Sequence, residues 1–503
     1  MLVIVVPAVL ALIYALGHLN WYLGTPLGRV PVLDERENID FAEAIFGGTL
    51  PAAPFYRAPG YALLLVGLRC LGVSPAGLFP AALAVGALLH ATGAALAAKL
   101  ALRWFGRRSA LIGGLFFALN PVLVHYATQA LDATFALTLF LAGLNCFAGA
   151  VAAPERPGPW AWAGLFWAAA TIVRPNYLLV WILVPGFAMS NPGGWRVQGR
   201  ILAPALAGVL LFGGVSLWQK RVSGVPGFLP WQGAYNLWAA NRPGANGRYY
   251  TQHVSLPPEL ARGNPARAES ILLYEEETKG APADIPAMNA HWHQKFLEEI
   301  STHTLRWMKL MVRKCYALLN NWEQYNNKTY AFHKALSPWL RYNPLCWGFL
   351  FMLAIPGAAR LALETPRPAA VLLVLCLACA FSIVLFFASA RFRLPLAAIC
   401  AILAGGALGR PNFWMEGSTG LILVLAVAII TAGFVTFSHF GWVDDRSTFV
   451  QDHALLARAA YTVGDDKTAL SEANAALAMQ PWHPDAKAIV AAATEDLEKK
   501  EHP

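Results

Sequence analysis

Long apolar runs separated by short polar stretches set the pattern of this chain from its first residues. Runs close to the ~20 residues that a helix needs to cross a bilayer recur along most of its length. Their ranges are 2–19, 79–102, 109–127, 131–152, 159–174, 176–190, 200–218, 344–363, 368–388, 393–408 and 419–441. A further apolar stretch at 60–73 is short for a span and predicts an interfacial or re-entrant helix. The pattern predicts an all-α polytopic membrane protein with about eleven transmembrane helices.

The longer polar intervals divide the chain into four parts. An N-terminal transmembrane module at 1–218 contains a first external loop at 20–78. A long external loop domain at 219–343 separates it from the C-terminal transmembrane helices at 344–441. The tail at 442–503 is helical and soluble in composition, and its Ala/Tyr/Gly/Ala/Pro spacing resembles one tetratricopeptide repeat plus a following helix. One repeat cannot bury a core alone, so we expect the tail to pack against the loop domain.

Composition and charge support the membrane assignment. Hydrophobic residues make up 57% of the 503 positions and charged residues 13%, whereas soluble globular proteins carry about 25% charged residues. The net charge of +9 does not indicate a nucleic-acid partner, because Lys and Arg concentrate in short connectors between spans. These connectors are 102–108, 154–157, 193–200, 359–368 and 408–411. The positive-inside rule places them in the cytoplasm, with the N-terminus inside and the C-terminal tail outside.

Under this topology the unusual polar residues collect on the external face, beginning with an acidic segment at 34–43. Asp34 and Glu37 have capping-box spacing, and apolar residues at helical spacing follow them. One interpretation is therefore an interfacial helix with a solvated acidic face. The other is a catalytic carboxylate that takes a proton from an attacking hydroxyl, with neighbouring acids such as Glu35 orienting groups or holding a metal.

Arginines on the same face supply the opposite charge. Arg57 lies in the proline-flanked segment "PFYRAPGY", and its forked set of donors suits a phosphate. Arg391 and Arg393 lie at the outer end of a late span, and Arg174 marks a hairpin between two spans. A single arginine at such a position is commonly an interfacial anchor. Several from distant external segments on one face indicate an anion site.

Further candidates lie at a span end and in the long loop. Asp132 opens the fourth span, where an isolated aspartate is often a helix N-cap. The stretch 231–250 mixes Trp, Tyr, Asn and Gly in the manner of carbohydrate-contacting surfaces, although turn-rich interfacial loops share that composition. The candidates for a sugar or acceptor pocket are Tyr56, Tyr61, His125, Gln129, Trp231, Tyr235, Asn236, Asn241 and Glu323.

In their order along residues 1–440, these motifs resemble membrane glycosyltransferases of the GT-C type, especially bacterial relatives of protein O-mannosyltransferases and lipid A aminoarabinose transferases. The segments that carry the resemblance are "LDERENIDFAEAI", "FYRAPGY", "LDATF", "GAYNLWAANRPGANG" and "RFRLP". Two positions depart from the family pattern. Phe392 stands where a tyrosine is often found, and Arg57 stands where a lysine is frequent.

The resemblance implies an inverting transfer of a sugar from a polyprenyl-phosphate-linked donor to a lipid, glycan or protein acceptor. The reaction would take place on the external, periplasmic face of a bacterial inner membrane. The implied catalytic carboxylates are Asp34, as general base or acceptor-orienting group, Glu35 and Asp132. The implied phosphate-binding residues are Arg57, Arg174, Arg391 and Arg393. A divalent cation (Mg²⁺, Mn²⁺ or Zn²⁺) would draw on Glu35, Asp40, Glu43 and His253, whose spacing is specific to no metal.

Two other classes of function fit parts of the pattern. A transporter or flippase of lipid-linked saccharides would suit the many spans and buried charges. Against it, the chain shows no internal two-fold repeat of spans, and its polar residues gather at one face rather than at mid-membrane. A non-catalytic envelope scaffold organised by the tail would leave the pattern of acids and arginines unexplained.

Overall fold

The computed structural model describes residues 1–189, 196–257, 264–414, 417–440 and 443–501. Its regular structure in these ranges is helical, apart from one isolated β-bridge between Asn326 and Lys328. The helices of the N-terminal part are α1 Leu2–Leu23, α2 Pro26–Arg29, α3 Asp34–Phe46, α4 Gly60–Cys70, α5 Pro75–Phe105, α6 Arg107–Ala118, α7 Pro121–Ala127, α8 Asp132–Ala152, α9 Pro157–Val173, α10 Leu178–Met189 and α11 Arg196–Ser223. Those of the loop domain are α12 Gln232–Ala239, α13 Pro265–Glu277, α14 Ile285–Thr302, α15 Thr304–Leu319 and α16 Tyr330–Leu336. The C-terminal part contains α17 Trp347–Glu364, α18 Pro366–Leu385, α19 Ala390–Leu408, α20 Thr419–Phe437, α21 Phe449–Thr462, α22 Asp466–Met479 and α23 Pro484–Glu501.

Eight helices in the described ranges are long and apolar enough to cross a membrane. They are α1, α5, α8, α11 from Leu202 onward, α17, α18, α19 and α20. The pair α6 and α7, bent by 55°, would make a ninth if it forms one span. Helices α9 and α10 lie where spans are predicted but contain 17 and 12 residues. The all-helical, multi-pass membrane architecture is confirmed, whereas the count of eleven spans stays a prediction. The predicted connector at 193–200 lies partly outside the described residues.

Helix α19 is the central span and carries the late arginines into the protein. Of its apolar window 83% is buried, against 11% for the peripheral α20. Small residues let its neighbours approach closely, as is common where helices pack in membranes. A Cβ on Gly357 of α17 would lie 1.8 Å from the Leu403 carbonyl oxygen, and one on Gly405 would lie 2.5 Å from the backbone of Gly113 in α6. Because α19 is enclosed, polar residues at its first turn must find partners inside the protein.

The segments outside the spans pack back onto them. Ile39 and Ala42 of α3 are buried in the same core as the spans. The loop domain has an aromatic core of its own, which includes Trp231, Tyr235, Trp238 and Trp292. The tail helices α21 to α23 bury a small alanine-rich core between them. Helix α21 also packs against α2 of the first external loop. The tail is therefore attached to the membrane module rather than held only by its own core.

Candidate active site

Helix α3 presents its first residue to a group of arginines. Leu33, with a φ of +49°, is the N-cap, and no side chain caps the helix. The capping-box interpretation of Asp34 is therefore not what the structure shows: Asp34 is the first helical residue. Asn38 Nδ2 donates to the carbonyl oxygen of Ala130 at 3.1 Å, which fastens α3 beside the segment that leads to Asp132.

The Asp34 carboxylate is bound by two arginines that lie far apart in the sequence. One carboxylate oxygen accepts from a terminal nitrogen of Arg57, and the other accepts from Arg391 Nη1 at 2.9 Å. The other face of Arg57 forms an ion pair through its Nε with Glu37, one turn along α3. Two guanidinium groups thus hold the Asp34 carboxylate between them.

A third acid, Asp132, extends this group toward the membrane spans. Arg174 Nε lies 3.5 Å from Asp132 Oδ2, and Arg391 Nη1 lies 3.8 Å from Asp132 Oδ1. Arg174 Nη1 also donates to the backbone oxygen of Arg391 at 3.3 Å. We call the whole set the acid–arginine cluster; its members are Asp34, Glu37, Arg57, Asp132, Arg174 and Arg391. Three carboxylates balance three guanidinium groups.

The Phe392 ring packs against the cluster through Arg174. The Arg174 guanidinium lies over this ring at 4.3 Å from its centroid, a distance at which a cation–π contact contributes to stability. The Phe392 ring therefore helps to hold Arg174 in place.

The electrostatics favour an ionised Asp34. Burial by itself raises the pKa of the Asp34 carboxyl, but attraction from Arg57 and Arg391 outweighs it and holds the pKa well below its usual range. Burial by itself lowers the pKa of Arg57, and the facing Asp34 and Glu37 carboxylates raise it above its ordinary value. Both groups are therefore charged at neutral pH, and the Asp34 carboxylate is a hydrogen-bond acceptor.

Two buried polar atoms of the cluster have no hydrogen-bond partner in the structure. They are Arg391 Nε and Asp132 Oδ1. Most buried polar groups in folded proteins are paired with protein or with ordered water, so these two atoms are open to a water molecule or to a ligand. Arg391 Nε is a donor, which suits an anionic ligand.

Glu35 forms a separate ion pair deeper in the protein. Lys328 Nζ lies 3.0 Å from Glu35 Oε2 and 2.7 Å from the hydroxyl oxygen of Tyr22, and both charged side chains are 2% exposed. Sequence reasoning did not identify Lys328. The signal that could have pointed to it is a lone lysine in the polar, asparagine-rich segment "NNWEQYNNKTY" that already supplied Glu323.

The loop domain reaches the cluster through Asn264, a second residue that sequence reasoning missed. Asn264 Nδ2 donates to Glu37 Oε1 at 2.8 Å, and Tyr56 OH donates to Asn264 Oδ1 at 3.0 Å. Tyr56 packs edge-on against Trp231 with 4.8 Å between ring centroids. The first external loop and the loop domain therefore meet at the cluster.

Arg393 and Glu323 lie apart from the cluster and bind each other. Arg393 Nη2 is 2.6 Å from Glu323 Oε1, and Arg393 Nη1 donates to the carbonyl oxygens of Leu318 and Asn320 at 3.0 and 2.5 Å. The guanidinium also lies over the Trp347 ring at 4.6 Å. This pair joins α19 to the end of α15.

The remaining pocket candidates are distributed between two other places. Gln129 Nε2 lies 2.9 Å from His125 Nε2, and the His125 ring packs near Tyr330 and His333. Tyr61 is buried, and burial together with the nearby Asp132 and Glu35 charges raises its pKa.

In the loop domain, Tyr235 OH donates to the buried Glu269 carboxylate at 2.6 Å. Asn241 Oδ1 accepts from Lys314 Nζ at 3.0 Å, and Asn236 is partly buried on α12. The structure thus places these three residues within the framework of the loop domain.

The acids proposed as metal ligands do not converge. Glu35 is paired with Lys328, Glu43 lies 2.8 Å from Arg69 Nε, and Asp40 is exposed. The backbone nitrogen of His253 donates to Glu269. Within the described residues, no group of three His, Cys, Asp or Glu side chains could hold a metal ion. The residues present do not fit a metal, and we derive no step through one.

Comparisons with known proteins give similarity only at the level of solved structures. No protein-family model and no curated protein matches the chain. The chain is similar to the oligosaccharyltransferase of Archaeoglobus fulgidus in complex with Zn and sulfate, at 14% identity and a TM-score of 0.42, over 91% of this chain and 55% of that one. It is also similar to AglB from the same archaeon, bound to an inhibitory peptide and a dolichol-phosphate, at 13% identity and a TM-score of 0.44, over 91% and 57% of the two chains.

A third similar structure is ArnT from Cupriavidus metallidurans bound to undecaprenyl phosphate. The identity is 18% and the TM-score 0.34, over 82% of this chain and 80% of that one. The chain spans little more than half the length of the archaeal structures. Identities and TM-scores this low do not define a function. What the fold and the site define is a multi-pass membrane protein with a partly buried acid–arginine cluster at the first residues of α8 and α19.

Proposed function

We propose that this chain is an inverting membrane glycosyltransferase of the GT-C type that uses a polyprenyl-phosphate-linked sugar as donor. The observation that carries the proposal is the Asp34 carboxylate held between Arg57 and Arg391, with the Nε of Arg391 left unpaired. A phosphate-linked sugar needs cations for its leaving group and a carboxylate for its attacking group. In the cluster, guanidinium cations and a carboxylate are in direct contact.

The donor phosphate would bind on the arginine side. Arg391 Nε is a donor that has no hydrogen-bond partner in the protein, and Arg57 adds a second guanidinium. As the sugar–oxygen bond breaks, negative charge grows on the phosphate, and cations already in place stabilise that charge without reorganising. Arg174 and Asp132 keep Arg391 in position through contacts to its side chain and its backbone oxygen.

Asp34 would act on the acceptor. In the resting site two guanidinium groups lower its pKa, which makes it a weak base. A bound phosphate competes for the same guanidinium groups, so the pKa of Asp34 should rise when the donor is present. The carboxylate then takes the proton from the acceptor's nucleophile as that atom forms a bond to the anomeric carbon. The polyprenyl phosphate leaves with the bonding electrons, and a single displacement inverts the anomeric carbon.

The ends of the helices support the proposed side of the membrane. Asp132 begins α8, Arg174 follows α9, and Arg391 lies in the first turn of α19. The basic connectors lie at the opposite ends of these helices, which supports an external, periplasmic site in a bacterial inner membrane.

A labelling experiment in intact cells tests this orientation. Glu276→Cys in the loop domain and Glu155→Cys in a basic connector are both at exposed positions, and the exposed Cys70 and Cys315 would first be changed to Ser. An impermeant thiol reagent should label the first variant and not the second. The reverse pattern would place the cluster in the cytoplasm.

The reaction itself is tested with the purified chain, a radiolabelled polyprenyl-phosphate sugar and a membrane extract as the source of acceptor. We expect release of polyprenyl phosphate and transfer of the label, both lost in Asp34→Asn. Movement of the intact lipid-linked sugar across vesicle bilayers without cleavage would instead show a transporter. Absence of both activities would favour the scaffold.

A further inference from the structure

One segment of the loop domain lies between the cluster and the C-terminal tail. We call it the strap; it comprises residues 323–333. On the side of the cluster, Lys328 forms the buried pair with Glu35. Asn326 Nδ2 donates to Ser389 Oγ at 3.2 Å, and the Gln324 backbone oxygen accepts from the nitrogen of Ala390 at 3.2 Å. The strap thus contacts both α3 and the first residues of α19.

The opposite side of the strap is held by the tail. Asp452 in α21 is fully buried, and its Oδ1 accepts from the backbone nitrogen of Thr329 at 2.9 Å and lies 3.0 Å from His333 Nε2. The Thr329 hydroxyl donates to that of Thr448 at 2.8 Å. Gln324 Nε2 donates to the carbonyl oxygen of Val443 at 3.2 Å.

The tail is firmly seated where it makes these contacts. Leu456 and Ala459, on the helix that carries Asp452, are buried in the core of the membrane module. Arg248 of the loop domain pairs with Asp445 at 3.0 Å. A strap held from both sides has little freedom to move.

We propose that the tail is a part of the active site and that Asp452 is its positioning residue. Thr329 directly follows Lys328, so the bond from Asp452 to the Thr329 amide fixes the lysine that pairs with Glu35. Glu35 in turn directly follows Asp34 in the first turn of α3. The activity readout of this proposal rests on the function proposed above. Loss of the contact should misplace the acceptor-activating side of the site and leave the phosphate-binding arginines in place.

The first test is Asp452→Ala, with Asp452→Asn as the conservative variant. We expect Asp452→Ala to lower kcat at least ten-fold, while the Kd for undecaprenyl phosphate stays within two-fold. Asp452→Asn keeps an acceptor oxygen for the Thr329 amide and should recover most of the activity. The matched control is Asp485→Ala, whose carboxylate pairs with Arg458 on the exposed surface of the tail and should leave kcat unchanged. Equal losses in the Asn and Ala variants would overturn the positioning role.

A double-mutant cycle tests the route through Lys328. If Asp452 acts by placing Lys328, adding Asp452→Ala to Lys328→Met should change kcat by less than two-fold. Losses in kcat that multiply would show independent sites and would contradict the proposal. Should Asp452→Ala not fold, Thr448→Val removes the neighbouring tail contact, the one to the Thr329 hydroxyl, and takes its place in the cycle.

Hydrogen exchange at the Thr329 amide measures its contact with Asp452 without an enzyme assay. The Thr329 amide should exchange at least ten-fold faster in Asp452→Ala than in the natural chain or in Asp485→Ala. If the natural chain transfers no sugar but this change is seen, the proposed function fails and the contact stands. If it transfers sugar and Asp452→Ala alters neither exchange nor kcat, the inference about the tail is wrong.

Discussion

Arg391 and Arg393 are two positions apart in the first turn of α19, and both are nearly buried, yet they belong to different regions of the molecule. Arg391 contacts the carboxylates of Asp34 and Asp132 and keeps an unpaired Nε. Arg393 binds Glu323 and two backbone carbonyl oxygens. At 3.6 residues per turn, positions two apart point to nearly opposite sides of a helix. The Arg393 guanidinium binds backbone oxygens and therefore joins helices. The Arg391 guanidinium is shared between two acids and keeps one nitrogen unpaired, so it can bind a ligand.

The largest expected effect is on kcat. It distinguishes Asp34, which is the partner of Arg391, from Glu323, which is the partner of Arg393. Asp34→Asn keeps the shape of the side chain but removes the base, and general bases contribute roughly 10²–10⁴-fold. We expect a loss of that size in the kcat of the folded protein, measured by transfer of labelled sugar. Glu323→Gln is the control and should mainly lower stability, since breaking a buried ion pair costs about 3–5 kcal/mol. Activity of Asp34→Asn above a tenth of the natural chain would remove Asp34 from the role of base.

The arginines themselves should differ in ligand affinity. Arg391→Ala and Arg57→Ala should each weaken binding of undecaprenyl phosphate by about 1.5–3 kcal/mol, the range for a hydrogen bond to a charged group. Lysine at position 391 should recover only part of the loss, because it restores charge without the fork. Arg393→Ala should lower the melting temperature and leave the Kd of the folded protein unchanged. An equal loss of affinity in Arg391→Ala and Arg393→Ala would contradict the assignment of ligand binding to Arg391 alone of the two.

Asp132→Asn should have a smaller effect on turnover than Asp34→Asn. Asp132 contacts Arg174 and Arg391 at 3.5 and 3.8 Å, and no side chain caps α8. We expect kcat to fall about ten-fold, or ~1.4 kcal/mol in the barrier, because Arg391 would be less firmly placed. The N-cap interpretation of Asp132 is not what the structure shows, because Leu131 is the N-cap and Asp132 is the first helical residue. A lower melting temperature with an unchanged rate would instead limit Asp132 to a role in stability.

The last prediction concerns the pH dependence of stability in the Arg393 region, where no change in ligand affinity is expected. Lys314 of α15 donates to Asn241 and to the Phe386 carbonyl oxygen, and burial lowers its pKa to about 7. Between this value and the ordinary value of 10.5 the unfolded chain binds a proton that the folded chain does not. Stability should therefore rise with pH across this window, by at most ~1.4 kcal/mol per pH unit. Lys314→Met should remove this slope in unfolding experiments from pH 7 to 10 without changing the Kd for undecaprenyl phosphate. The same slope in both proteins would contradict the assignment.

The sequence by itself determined the features that depend on neighbouring residues. Apolar runs predicted helices at the positions of the spans, because each segment must satisfy its own backbone in a membrane. The spacing of 34–46 predicted a short helix, and the distribution of charge predicted that Asp34, Arg57 and Arg391 share one face. These arguments need only local pattern and the side of the membrane.

Only the tertiary structure decided which charges meet. Asp34 and Arg391 are 357 positions apart, and Glu35 and Lys328 are 293 apart. No local pattern separates Arg391 from Arg393 or links Asp452 to the strap. Burial makes an unpaired charge costly, so the packing of α3, α19, the strap and the tail selects the partners. The identity of those partners is therefore a property of the folded chain.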